Sequence, residues 1–88
     1  MIEQSITIVN KLGLHARAAA KFVTTASQFN ADIQVARNGR IVNGKSIMGL
    51  MMLAAEFGAQ VEVSVDGEDA TEAMNEIEQL ITGGFKPL

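Results

Sequence analysis

The only histidine of the chain, His15, stands in the motif Gly13-Leu14-His15-Ala16-Arg17. A neutral imidazole is a nucleophile near neutral pH. The motif lies where a loop gives way to a helix, so the free N–H groups of the first helical turn point toward the ring and favour a bound anion. Arg17 can add a charge-assisted hydrogen bond. A phosphoryl group on His15 would therefore find hydrogen-bond donors around it.

Other chemistry at His15 has weaker support. A metal site needs further ligands, yet the chain has no second histidine, no cysteine and no carboxylate at ligand spacing. A hydrolase needs a paired base and nucleophile, and no serine is marked as the partner of His15. We therefore expect no metal and no cofactor. A plain surface histidine beside an ordinary Gly-Leu loop remains the structural alternative.

A second unusual segment follows Ser46 and has no polar face when it is placed on a helical wheel. Its apolar residues divide into a core-facing arc of Leu50, Leu53 and Ala54 and a neighbouring arc of Ile47, Met48 and Met51, with Met52 at the margin. A domain of this size cannot bury an all-round apolar helix, so we expect the second arc to be an exposed docking surface. Methionines that merely fill the core are the alternative.

Ser46 itself is placed to cap this helix, a role worth about 1 kcal/mol. A phosphate on its hydroxyl would put about two negative charges beside the apolar arc. Ser46 is therefore a simple cap or a switch that weakens docking when it is phosphorylated. The residues alone favour the cap.

Around these two motifs, period-two and three-to-four-residue apolar spacings predict alternating strands and helices. The expected elements are strand 3–9, helix 16–29, strand 32–35, strand 40–43, helix 46–54, strand 61–66 and helix 69–82. Asn38-Gly39 predicts a tight hairpin. Asp69 with Glu72 predicts a capping box for the last helix, which Gly83-Gly84 ends. The order β-α-β-β-α-β-α predicts an α+β open-faced sandwich, a four-stranded antiparallel sheet with three helices on one face.

The composition limits the class of protein. The 88 residues, 48% of them hydrophobic, are typical of one globular domain over 1–88. A net charge of -3 and only four aromatic residues argue against a nucleic-acid partner. The N-terminus lacks the pattern of a signal peptide, and the longest apolar stretch, 50–55, is too short to span a bilayer. We expect a cytoplasmic protein with no membrane insertion.

The His15 motif, together with Lys45-Ser46-Ile47-Met48-Gly49-Leu50, closely resembles the HPr family, the histidine-containing phosphocarriers of the bacterial sugar phosphotransferase system. The resemblance covers nearly the whole chain. It implies that Nδ1 of His15 accepts a phosphoryl group from phosphorylated enzyme I, which draws on phosphoenolpyruvate. EIIA-type domains would then receive the group, and Arg17 would steady it. Such a protein carries a phosphoryl group between proteins rather than acting on a small molecule.

The resemblance also implies a regulatory site and a docking surface. In many relatives the serine matching Ser46 is phosphorylated by an ATP-dependent HPr kinase/phosphorylase. The partner-binding surface of the family includes the positions of Ile47, Met48 and Met51. One departure stands out, because Ala18 occupies the place of the usual proline of His-Ala-Arg-Pro. Alanine keeps the helix but loosens its start by about 0.4–1 kcal/mol.

Three other functions compete with a sugar-type carrier. A regulatory paralogue, such as the nitrogen-branch phosphocarrier, would use the same chemistry with other partners, although Ser46 and its flanks favour the sugar type. A plain interaction domain would leave His15 inert and bind a protein through the methionine patch. An RNA-binding sheet would need stacking aromatics on its strands. The four phenylalanines fall instead on a helix, a loop and the tail, at Phe22, Phe29, Phe57 and Phe85.

Overall fold

The computed structural model describes residues 1–86 and contains seven elements in the predicted order. They are β1 (Ile2–Thr7), α1 (Ala16–Ala26), β2 (Asp32–Arg37), β3 (Arg40–Asn43), α2 (Ile47–Met52), β4 (Gln60–Asp66) and α3 (Ala70–Thr82). The strands form one antiparallel sheet, which together with the three helices confirms the predicted α+β open-faced sandwich. Within residues 1–86, no helix is long and apolar enough to cross a bilayer.

The sheet has the strand order β1-β4-β2-β3, so the strand that comes last in the chain lies inside the sheet. The register pairs Ile6 with Val61 and Val35 with Val63. All four side chains are buried, which confirms that the period-two pattern marks the core face. On the other face Ser5 donates a hydrogen bond to the carboxylate of Glu62 at 2.6 Å. The alternation therefore separates an apolar face from a polar one, as expected for a sheet covered on one side.

Each helix contributes one apolar stripe to the core. The buried members of the three stripes are Ala18, Ala19, Phe22 and Ala26 of α1, Leu50 of α2, and Ala70, Ala73, Met74, Ile77 and Ile81 of α3. The stripe spacing of three and four residues explains why these positions turn inward together. The helix α1 also packs against α2 and α3. The core therefore fixes the start of α1, where the histidine stands.

The predicted capping box at Asp69 is wrong. Asp69 is the N-cap of α3, but its side chain makes no capping hydrogen bond. Its carboxylate accepts instead from the main-chain N–H groups of Asn30 and Ala31, at 2.8 and 2.9 Å. The N–H groups of Asn30 and Ala31 are therefore bonded to this carboxylate in place of an N–H group of the first turn of α3. Asp69 thus ties α3 to the turn after α1, which ends at Ala26 rather than Phe29.

The end of α2 also differs from the prediction. The helix stops at Met52, and Ala54, expected in the core, is exposed in the left-handed conformation with φ of 50°. Arg37 stabilises the main chain just beyond the helix, because its guanidinium donates to the carbonyls of Leu53 at 3.1 Å and Ala54 at 2.7 Å. These carbonyls have no partner inside the helix. The arginine of a neighbouring strand therefore completes the end of α2.

The predicted hairpin between β2 and β3 is confirmed. Asn38 and Gly39 both have positive φ, 51° and 82°. Two consecutive residues in this region make the turn whose twist matches that of the flanking strands. The register pairs Arg37 with Arg40 across the turn.

Candidate functional site

Two loops that meet at one end of the sheet position His15. One joins β1 to α1 and the other joins α2 to β4. The N–H of Ile8 donates to the carbonyl of Ala59, and the N–H of Leu14 donates to that of Ala55, both at 2.8 Å. Main-chain bonds between loops satisfy groups that no strand or helix can satisfy. The histidine therefore stands on a loop that the rest of the fold holds at both ends.

Gly13 allows the two loops to touch. Its φ of 66° lies in the left-handed region, which favours glycine. A Cβ atom built on Gly13 would come within 2.5 Å of the carbonyl oxygen of Ala55 and 2.8 Å of the Cα of Glu56. No side chain fits in that space. The glycine of the motif thus permits the close contact between the two loops, two residues before the histidine.

Asn10 closes the turn that leads into the motif. Its Nδ2 donates to the carbonyl of Gly13 at 2.8 Å, and the N–H of Gly13 donates back to the carbonyl of Asn10 at 3.1 Å. The side chain of an asparagine commonly stabilises a turn in this manner. The Oδ1 of Asn10 is buried and has no hydrogen-bond partner within the described part of the chain. This turn fixes the direction in which Leu14 and His15 leave the loop.

His15 is the N-cap of α1, as the sequence predicts. Its backbone is extended, with φ of -76° and ψ of -179°. The main-chain N–H of Arg17 donates to Nδ1 of the ring at 3.2 Å, and the His15 carbonyl accepts the first helical bond from Ala19 at 2.8 Å. A ring nitrogen that accepts a hydrogen bond carries a lone pair, so this contact assigns the proton of the neutral ring to Nε2. In this tautomer the lone pair of the ring is on Nδ1.

A cleft of about 320 Å³ opens beside the ring. Among residues 1–86, its lining includes no carboxylate and four of the seven lysine and arginine residues of the chain: Lys11, Arg17, Lys21 and Lys86. The chain as a whole carries a net charge of -3. Clustered cations in an otherwise acidic protein create a local field that attracts anions. The cleft is thus suited to a small anionic group beside His15.

Of these cations, sequence reasoning found only Arg17. It is exposed at the second position of α1, next to the buried Ala18. Lys21 stands four residues after Arg17, a spacing that puts both residues on one face of the predicted helix and could have identified it. Lys11 lies in the loop four residues before His15. Only Lys86 is remote in sequence, and it lines the cleft because the turn after α3 approaches α1.

The predicted docking arc on α2 is exposed. Ile47 and Met51 retain 41% of their accessible surface and Met48 72%, whereas Leu50 is fully buried. Met52, at the margin of the arc, is 58% exposed. Because α2 packs against α1, this apolar surface belongs to the same side of the fold as the helix that begins at His15. The arrangement is compatible with a partner that contacts both helices.

Ser46 is the N-cap of α2, which confirms the capping prediction. Its Oγ accepts a hydrogen bond from the main-chain N–H of Gly49 at 3.0 Å. The side chain is half-buried beside Ile47 and Gly49 at the edge of the exposed arc. A Cβ atom at Gly49 would approach the Ser46 Oγ to 3.3 Å, so the glycine keeps this cap uncrowded.

Two further exposed apolar residues lie in the loops around the histidine. Leu12 is 76% exposed in the loop before His15, and Phe57 is 62% exposed in the loop after α2. The sequence placed Phe57 on a loop but gave no reason to assign it to a surface. An apolar side chain in an irregular segment has no periodicity from which its burial could be predicted.

Known proteins resemble this chain over nearly its whole length. The family model described as the PTS HPr component phosphorylation site matches residues 2–83. The phosphocarrier protein HPr of Neisseria meningitidis is 58% identical over 85 residues, which cover 97% of this chain and 96% of the relative. That of Cupriavidus necator is 49% identical over 85 residues, with 97% and 96% coverage.

The crystal structure of HPr from Thermoanaerobacter tengcongensis superposes with a TM-score of 0.94 at 46% identity and covers all of both chains. The named relatives favour the sugar-type carrier over the regulatory paralogue. Since both the family model and the relatives cover almost the entire sequence, the chain belongs to the HPr family, the phosphocarrier proteins of the bacterial phosphotransferase system.

Proposed function

We propose that His15 is the residue that carries the phosphoryl group, taking it from phosphorylated enzyme I and passing it to EIIA-type domains. The observation that supports this assignment best is the hydrogen bond from the Arg17 N–H to Nδ1 of His15. The acceptor of this bond is the ring lone pair, which lies at a helix start beside a cleft lined by cations. Both features are what a nucleophile that becomes a dianionic adduct requires.

In the proposed step, the Nδ1 lone pair attacks the phosphorus atom of the group on enzyme I. The Nδ1–P bond forms while the bond from phosphorus to the donor atom breaks, and the donor atom keeps the electron pair. The N–H of Arg17, which faces Nδ1 in the free protein, becomes available to a phosphoryl oxygen. Onward transfer repeats the step, with an acceptor nucleophile on the EIIA domain attacking the phosphorus of His15.

The role of Arg17 is to stabilise the charge that moves in this step. Its side chain lines the cleft next to His15, and a guanidinium can donate two parallel hydrogen bonds to phosphoryl oxygens. The lysines of the cleft add to the field without needing direct contact. This arrangement stabilises the phosphoryl group during transfer by placing fixed positive charge where negative charge develops.

The exposed surface of Ile47, Met48 and Met51 is proposed to dock enzyme I and EIIA-type domains in turn. Flexible methionine side chains suit a surface that must fit more than one partner. Phosphorylation of Ser46 by an HPr kinase/phosphorylase would place charge at the edge of this surface and weaken docking. The absence of cysteine agrees with the reducing cytoplasm as the site of these exchanges.

Intact-mass measurement tests the assignment of the carrier residue. The chain is incubated with enzyme I and phosphoenolpyruvate, and the wild type is expected to gain one phosphoryl group that acid removes and base does not. His15→Ala is expected to gain none. A thermal melt of His15→Ala serves as the control for folding. A folded His15→Ala variant that still takes up a phosphoryl group would assign the carrier role to another residue.

A further inference from the structure

The carbonyl oxygen of Phe85 accepts a hydrogen bond from the ammonium group of Lys21 at 2.7 Å. This partly buried contact joins α1 to the turn that follows α3, across 64 residues of sequence. Within the turn, the N–H of Gly84 donates to Ile81 at 3.0 Å and that of Phe85 donates to Leu80 at 2.9 Å. The lysine therefore supplies the bond that links the turn to another helix.

Phe85 is held in an uncommon conformation. Its φ is 60°, in the left-handed region that bulky residues rarely adopt, while its ring is 5% exposed in the core. Such a conformation persists when its surroundings over-determine it. Here the packed ring, the hydrogen bond from the Phe85 N–H to Leu80 and the Lys21 ammonium hold the residue. Removing the ammonium takes away the hydrogen bond between the turn and α1.

The turn that Lys21 holds is one wall of the cleft beside His15. Gly84, Phe85 and Lys86 line the cleft from this side, and Lys21 lines it from α1. We propose that Lys21 is a positioning residue for the phosphoryl group. By fixing the turn to α1, it keeps this wall, with the positive charge of Lys86, at a constant place relative to Nδ1. The inference rests on the proposed function of His15.

Lys45 provides a matched control, because it makes the same kind of bond at another place in the fold. Its ammonium donates to the carbonyl of Phe29 at 2.8 Å, also partly buried. It does not line the cleft beside His15. Lys45→Met therefore removes an equivalent restraint without touching the cleft. Since Lys45 adjoins Ser46 and the docking surface, the comparison between variants uses kcat rather than KM.

The experiment compares wild type, Lys21→Met, Lys21→Arg and Lys45→Met in thermal melts and in phosphorylation by enzyme I. We expect kcat to fall about tenfold in Lys21→Met, because small displacements at a reacting centre have large effects on rate and one positive charge of the cleft is lost as well. The amide shifts described below report the displacement separately from the loss of charge. Lys21→Arg keeps both charge and donor and is expected to recover most of the rate. Lys45→Met is expected to melt at a similarly reduced temperature with the kcat of wild type.

Amide NMR spectra recorded before and after phosphorylation give an independent readout. In wild type, the signals of Gly84, Phe85 and Lys86 are expected to shift when His15 is phosphorylated. In Lys21→Met, these shifts should shrink because the turn is no longer fixed beside the phosphoryl group. If Lys21→Met does not melt cooperatively, Lys21→Gln takes its place. It keeps a shorter, neutral donor and is expected to have an intermediate kcat.

Two results would overturn the inference, and they differ from each other. A folded Lys21→Met or Lys21→Gln variant with the kcat and amide shifts of wild type would mean that Lys21 only stabilises the fold and does not position the phosphoryl group. A wild-type protein that takes no phosphoryl group at all would overturn the proposed function of His15, and this inference with it.

Discussion

The main-chain N–H of Arg17 donates to Nδ1 of His15 at 3.2 Å, and both residues line the same cleft. In the proposed function, Arg17 thus offers the phosphoryl group two different donors. The first belongs to the backbone and survives any substitution except proline. The second depends on the guanidinium. Substitution of Arg17 therefore separates the contribution of the side chain from that of the helix start.

Arg17→Ala is expected to slow phosphoryl transfer in both directions by about 1.5–3 kcal/mol of activation free energy, the range for a hydrogen bond to a charged group. The fold should be unaffected because Arg17 is exposed. Transfer rates from enzyme I and to an EIIA domain measure the effect. Arg40→Ala, an exposed arginine on β3, is the control for loss of charge. Unchanged rates in Arg17→Ala would mean that the backbone donors suffice.

Ala18→Pro is expected to raise the free energy of unfolding slightly, by about 0.4–1 kcal/mol, because proline reduces the freedom of the unfolded chain. Ala18 is the third residue of α1, where the N–H has no partner inside the helix. Urea unfolding measures the change. Ala20→Pro is the comparison, since a proline two residues later removes a helical bond and should cost about 3 kcal/mol. A large loss in Ala18→Pro would show that the buried site cannot accept the ring.

Asp69→Ala is expected to lower the free energy of unfolding by about 1.5–3 kcal/mol, because the N–H groups of Asn30 and Ala31 lose a charged acceptor. Asp69→Asn keeps one acceptor oxygen and should lose less. Denaturant unfolding of both variants, with Asp32→Ala on the exposed sheet face as control, makes the comparison. Equal stability of Asp69→Ala and wild type would contradict the role given to this carboxylate.

Ser46→Asp is expected to weaken docking of enzyme I without lowering stability. Aspartate is a good N-cap and suits the positive end of a helix, so α2 should keep its cap. The new charge borders the apolar surface that must lose water on docking. Enzyme I affinity and phosphotransfer rate are measured, with thermal melting as the control for folding. Ser46→Asn, a neutral cap, isolates the effect of charge. Normal phosphotransfer by Ser46→Asp at every enzyme I concentration would remove Ser46 from the docking surface.

The sequence predicted those features that depend on neighbouring residues. The alternating valines of β4, the hairpin at Asn38 and Gly39, and the cap at Ser46 all follow from short-range spacing and backbone preference. His15 at the start of α1 belongs to the same group, because the break between loop and helix is visible in the motif. In each case the tertiary environment agrees with the local preference, which is why the prediction holds.

The wrong or missing features depend on contacts between distant residues. Asp69 has the spacing of a capping box with Glu72, yet its carboxylate accepts hydrogen bonds from the N–H groups of Asn30 and Ala31 instead. Ala54 lies beyond the end of α2, where Arg37 of β2 binds the carbonyl groups of Leu53 and Ala54. Neither competitor is visible locally, and tertiary contacts override local preference in both cases.

The place of β4 inside the sheet has a consequence for how the protein is made. In the sheet of residues 1–86, β1 lies at one edge and pairs with β4 alone, and the loop that bears His15 is hydrogen-bonded to Ala55 and Ala59. Both lie in the last two-fifths of the chain. A nascent chain that has not yet exposed residues 60–66 has nothing with which to pair β1. The histidine leaves the ribosome before Ala55, Ala59 and β4, so its site is completed only after these later residues have emerged.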